Sequence, residues 1–190
     1  MSSVKLAAAI TLASLLQIGC NAADQPTAPL SPARLPAGQA NANKHDTGGL
    51  VSMLDQCEPT SFNAVLGDGA CVGNGSITFD EFISELTQRK QVQAWRFEPH
   101  TVNMLVGQTL TAINLGGEEH TFTEVDEFGG GIVPLLNTLS GNPVPAPECL
   151  GTIERIAPGE SDSEVEDDAG TELYQCCIHP WMRAKVHIHK

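Results

Sequence analysis

The plainest pattern of apolar and polar positions lies at 79–89. Phe79, Phe82, Ile83 and Leu86 recur at i, i+3, i+4 and i+7, which predicts an amphipathic helix. Thr78 and Glu81 make a capping box in front of it. Asp80 and Glu81 fill the first turn, with Arg89 and Lys90 at the end, as the helix dipole favours. Upstream, Leu50, Val51, Met53 and Leu54 predict one or two helical turns, and Phe62, Val65 and Leu66 predict another, stopped by Gly67. From Trp95 onward the period falls to two. Val102, Met104 and Val106 alternate, Gly107-Gln108 turns, and Leu110 to Asn114 runs on. Turn signals follow at Gly116-Gly117, Gly129 to Gly131, Gly141-Asn142-Pro143 and Pro158-Gly159, with no later helical period. The expectation is an all-β sandwich or barrel over 93–190, preceded by a small helical segment over 47–92.

The first 46 residues fit neither pattern. Lys5 precedes the apolar run Leu6 to Leu16, a signal-peptide arrangement over 1–19 that is too short to span a bilayer permanently. The run ends at Gly19-Cys20, which resembles a lipoprotein processing site with Cys20 as the lipidated first residue, although Gln17 departs from that pattern. Ordinary cleavage near Ala22 or Ala23 is the alternative. Both export the chain to the periplasm or cell envelope, where disulfides persist. Residues 20–46, with Pro26, Pro29, Pro32 and Pro36 among alanines, read as a flexible linker.

Composition narrows the function. The 190 residues are 41% apolar, enough for a core, and carry a net charge of −13. A surface that acidic repels phosphate backbones, which argues against nucleic acid as a partner and suits a basic protein.

The chemistry is concentrated in Tyr174-Gln175-Cys176-Cys177-Ile178-His179-Pro180-Trp181-Met182. A thiolate, an imidazole and a thioether fall within seven residues, and soft sulfur with imidazole selects copper over magnesium or calcium. Cys176 ends a strand, and three-residue steps let His179 and Met182 fold around the same ion. A second imidazole is needed, and His120, after Gly116-Gly117-Glu118-Glu119, is the candidate. Other groups are weaker. Gly75 to Glu81 looks like half of a calcium loop, but Ala70 and Val72 stand where carboxylates are needed. The acidic run Gly159 to Gly170 reads as a solvated strand edge or loop, and His187 and His189 as a solvated strand face. There is no Ser-His-Asp grouping and no phosphate-binding glycine loop.

Cys-x-x-His-x-x-Met resembles the ligand loop of cupredoxins, and the wider Tyr-x-Cys-x-x-His-Pro-Trp-Met is similar to plastocyanin-like domains. The resemblance covers roughly 93–190. It implies an eight-stranded Greek-key sandwich holding one copper ion through His120, Cys176, His179 and Met182, and a carrier of single electrons rather than an enzyme. Copper capture and delivery with the same ligands is the alternative. In that family an Asn after the first His and a Ser or Thr after the Cys lock the site; here Thr121 and Cys177 replace them. Phe128 to Pro134 has no counterpart. With Cys20 lipidated and Cys176 on copper, four cysteines remain, and the expected pairs are Cys57–Cys71 and Cys149–Cys177. Two other assignments stay open: both Cys176 and Cys177 in disulfides, or Cys177 as the ligand. The resemblance also implies that His179 reaches the surface beside Pro180 and Trp181, where a basic redox partner docks.

Overall fold

A computed structural model describes residues 48–190; the expectations for the signal peptide, the linker and Cys20 lie outside them. Eight strands form two four-stranded sheets. In chain order they are β1 (Gly49–Leu54), β2 (Arg96–Glu98), β3 (Thr101–Leu105), β4 (Thr109–Asn114), β5 (Thr123–Val125), β6 (Ser161–Val165), β7 (Gly170–Gln175) and β8 (Arg183–His189). One sheet has the order β2-β1-β4-β6 and the other β3-β8-β7-β5. Neighbours that are distant in sequence require connections that cross between the sheets, the connectivity of the expected Greek-key sandwich. Alternation builds the core: Val102 and Met104 on β3, Leu110 and Ala112 on β4, and Ala184, Val186 and Ile188 on β8 all turn inward. The acidic run supplies β6, which lies at a sheet edge and is mostly exposed, as its composition implies.

Residues 50–54 overturn one expectation. They form a strand, β1, at the heart of the first sheet, parallel to β4 and antiparallel to β2. Val51 and Met53 are buried while Leu50 is exposed, which is period two. A five-residue run this rich in apolar side chains satisfies either period, and only its partners decide. The sandwich therefore begins before the helices.

The helices α1 (Pro59–Leu66) and α2 (Phe79–Arg89) lie between β1 and β2 in the chain. The span of α2 is the one its periodicity predicts, and both halves of the capping box are formed: Glu81 N–H donates to Thr78 Oγ1 and Thr78 N–H donates to Glu81 Oε2. Glu58 caps α1 by accepting from the Thr60 and Ser61 N–H groups. The two helices bury Phe62, Phe82 and Leu86, and Phe62 stacks on Trp95 at 5.7 Å. Each such ring contributes about 1.5–3 kcal/mol of burial. A third helix, α3 (Pro134–Ser140), and a 3-10 turn (Pro147–Leu150) break the expectation of no later helix. Both are too short to show a period, and both start on proline, whose fixed φ suits a first helical position. Among the described residues no helix is long and apolar enough to cross a membrane.

Candidate metal centre

The turn after β4 places His120. Asn114, fully buried, donates from Nδ2 to the carbonyls of Glu118 and Ile156, while its Oδ1 accepts from Gly116 N–H. His120 then makes a two-way backbone bridge with Ile156. Gly116 is required in this turn because a Cβ there would sit 2.0 Å from Asp55 Oδ2. On the other side, β7 delivers Cys176. Cys176 N–H donates to the Met182 carbonyl and Met182 N–H to the His179 carbonyl, so residues 176–182 close into a compact loop.

These two pieces bring three buried donor atoms together. Cys176 Sγ lies 3.8 Å from His120 Nδ1 and 3.9 Å from His179 Nδ1, and the three side chains offer ligand atoms all within 4.8 Å of one another. Among the described residues this is the one cluster of histidine, cysteine or carboxylate groups with metal-holding geometry. Met182 is buried in the same loop. Thr121 N–H and His179 N–H also point at the sulfur, at 3.4 and 3.5 Å. Burial alone pushes the Cys176 thiol up, but His120 and His179 outweigh it and hold it well below the usual thiol range. His120 is likewise driven down by burial, yet Asp55 and Cys176 raise it to about 9.

The cysteines pair as expected: Cys57–Cys71 and Cys149–Cys177 are disulfides, and Cys176 is free. Both open alternatives for Cys177 are thereby removed. The departures at 121 and 177 make their own lock. Cys177 N–H donates to Thr121 Oγ1 at 2.8 Å, and Thr123 Oγ1 donates to the same oxygen at 3.0 Å. The Phe128 to Pro134 segment passes beside Cys177. Ile132 N–H donates to the Cys177 carbonyl at 2.7 Å, and Gly131 passes so close that a Cβ would lie 1.9 Å from that oxygen.

No protein-family model matches the chain, and no curated protein matches it. Among solved structures it is similar to a purple cupredoxin from Nitrosopumilus maritimus, at 14% identity and TM-score 0.42, over 74% of this chain and 98% of that one. It is also similar to an oxidised amicyanin variant, at 24% identity and TM-score 0.35, over 50% of this chain and 73% of the other. These values leave the site to stand on this chain's own residues. They do so on geometry. Bonds of about 2.3 Å to sulfur and about 2.0 Å to nitrogen, opened to ~120°, separate S and N by roughly 3.7 Å. The two observed S···N distances fit a three-coordinate ion, and the donors are of the soft kind that copper prefers.

The surroundings differ from expectation in one respect: His179 does not reach the surface. It is 3% exposed, beneath Phe82 of α2 at a centroid distance of 6.2 Å and Trp181 at 5.5 Å. Trp181 is half-buried, and its indole N–H is buried with no partner. Phe82, from α2, and Trp181, from the ligand loop itself, cover it.

Two residues that sequence reasoning passed over complete it. His120 Nε2 is 3.0 Å from Asp55 Oδ2, and His179 Nε2 is 3.6 Å from Glu118 Oε2. Glu118 Oε2 also accepts from Trp95 Nε1 at 2.6 Å. Burial pushes Asp55 up, but hydrogen bonds from His120 and from the Glu118 and Gly117 N–H groups hold it near 2. Burial raises Glu118 above the usual carboxylate value, against the pull of His179. The only signal in the sequence was two acidic residues bordering apolar strands. His187 and His189 behave as expected of a strand face, facing Thr171 and Asn103.

Proposed function

We propose that the chain would hold one copper ion through His120 Nδ1, Cys176 Sγ and His179 Nδ1, with Met182 as a further, weaker ligand, and would transfer single electrons between redox partners. The observation that carries this reading is the convergence of one thiolate and two imidazoles in a buried pocket. Copper bound there supplies the one-electron Cu(I)/Cu(II) couple. The chain's own part is to keep three ligands in place through the change of charge, which keeps reorganisation small. The Thr121–Cys177 bond and the Cys149–Cys177 disulfide stiffen the thiolate end, and Phe82 and Trp181 exclude water. A closed pocket leaves no position for a substrate, which favours a carrier over an enzyme. It also disfavours the rapid exchange that copper delivery needs. The two disulfides support export.

Trp181, in edge contact with His179 and partly buried, is the proposed exit for electrons. A groove of about 830 Å³ along α2 is lined by Asp80, Glu81 and Glu85 against one cation, Arg89, an acidic balance that suits a basic partner. Adding Cu(II) to the purified chain tests the reading. A thiolate on Cu(II) gives an intense visible band with one copper per chain; a colourless, copper-loaded chain refutes a blue-copper site. Trp181→Ala is expected to keep the band and slow electron exchange several-fold.

A further inference from the structure

Each metal-facing imidazole has a second nitrogen, and both second nitrogens face a buried carboxylate. In the first pair, His120 and Asp55 side chains are 0% and 1% exposed; in the second, His179 and Glu118 are 4% and 8% exposed. Asp55 is not placed by the imidazole alone. Its Oδ2 accepts from Gly117 N–H at 2.8 Å and Glu118 N–H at 3.0 Å, and its Oδ1 accepts from Cys57 N–H at 3.1 Å. The backbone therefore presents a fixed anion to His120. Glu118 is held by the Trp95 indole N–H, and its 3.6 Å separation from His179 is an ion-pair distance rather than a hydrogen bond.

A carboxylate behind an imidazole has two effects. It holds the proton on Nε2, which leaves the Nδ1 lone pair for a metal and fixes the ring's rotation. It also adds negative charge in a water-poor region, where charge counts most. More negative charge favours the more highly charged ion, whereas an axial thioether favours Cu(I). We infer that Asp55 and Glu118 are positioning residues: Asp55 orients the His120 imidazole through its hydrogen bond, and the two carboxylates together bias the centre toward Cu(II), making this a low-potential site. The inference rests on the copper reading above.

The test uses the full chain carrying Glu118→Gln or Asp55→Asn, with Glu119→Gln as a control. Glu119 adjoins Glu118 in sequence but is exposed and paired with Arg155. The readout is the ratio of Cu(II) to Cu(I) affinity from chelator competition, which needs no colour, together with the midpoint potential. Thermal melting of the metal-free proteins reports folding. Each site variant is expected to shift the ratio toward Cu(I) by about tenfold, equivalent to ~59 mV upward for one electron. The control is expected to leave it unchanged. Folded site variants with the wild-type ratio overturn the inference, as does an equal shift in the Glu119 control, which reduces the effect to net charge. If neither site variant folds, the carboxylates serve the fold instead and the inference is equally overturned. A wild-type chain that takes up no copper overturns the copper reading and this inference with it. An unmoved ratio in a copper-binding chain overturns this inference alone.

Discussion

Tyr174, on β7, and Cys176, just past its end, stand two residues apart in opposite electrostatic settings. Cys176 Sγ is met by two imidazoles and two backbone N–H groups. The Tyr174 hydroxyl, with one hydrogen to give, is met by three carboxylates: Glu164 at 2.7 Å, Glu172 at 2.9 Å and Glu166 at 3.1 Å. The consequences run in opposite directions. At the sulfur, donors outweigh burial and the anion is favoured. Among the carboxylates, burial and then Glu172 and Glu164 raise Glu166 to about 8, and Tyr174 is raised as well. Burial favours the neutral form at both ends; the partners reverse it at the sulfur and reinforce it among the carboxylates.

The comparison breaks most completely at Cys176. Cys176→Ser is expected to abolish the visible band of the copper-loaded chain while leaving the Tyr174 end intact; a surviving band shows that another residue is the ligand. Removing the anchor beside it, with Cys149→Ser and Cys177→Ser together, opens a loop of sequence separation 28. A loss of roughly 3–4 kcal/mol is expected from the chain-entropy model. The band should persist, and denaturant titration with an unchanged midpoint would contradict the bracing role. At the other end, Tyr174→Phe removes the donor from among the carboxylates. It is expected to cost roughly 1–3 kcal/mol at neutral pH, with the copper spectrum unmoved; a shifted spectrum means that the two ends are coupled.

The smallest effect is a pH dependence. Glu166 binds its proton more tightly folded, at about 8, than its ordinary value of 4.5 implies for the unfolded chain. Its stabilising contribution is therefore full below about pH 4.5 and is lost as pH rises through about 8. Wild type is expected to lose stability relative to Glu166→Gln between pH 5 and pH 8, as melting at each pH would report. Parallel curves across that window would count against proton retention by this cluster.

What the sequence made legible was local. Cys176, His179 and Met182 share one short loop, so their spacing carried the chemistry. The period and caps of α2 lie within thirteen residues, Thr78 to Lys90, and gave its bounds. His120 was reachable because one more imidazole was needed. What escaped depends on distant pairing. β1 is a strand because β2 and β4 flank it, and nothing inside Leu50 to Leu54 says so. Asp55 matters because β1 ends against the Gly116-Gly117 turn, and Phe82 covers His179 only once α2 folds back over the sandwich.

The place of β8 has a consequence for the order of assembly. This strand follows Met182 immediately, lies between β3 and β7, and sets Thr101 opposite Lys185 and Tyr174 opposite Ala184. Pairings that join such remote segments form slowly, because the loop between them must close first. A chain halted before β8 would own Cys176 and both histidines yet lack the clasp that gathers them. If the proposed copper site forms, metal affinity would report a completed chain: one that lacks β8 would have little grip on the ion.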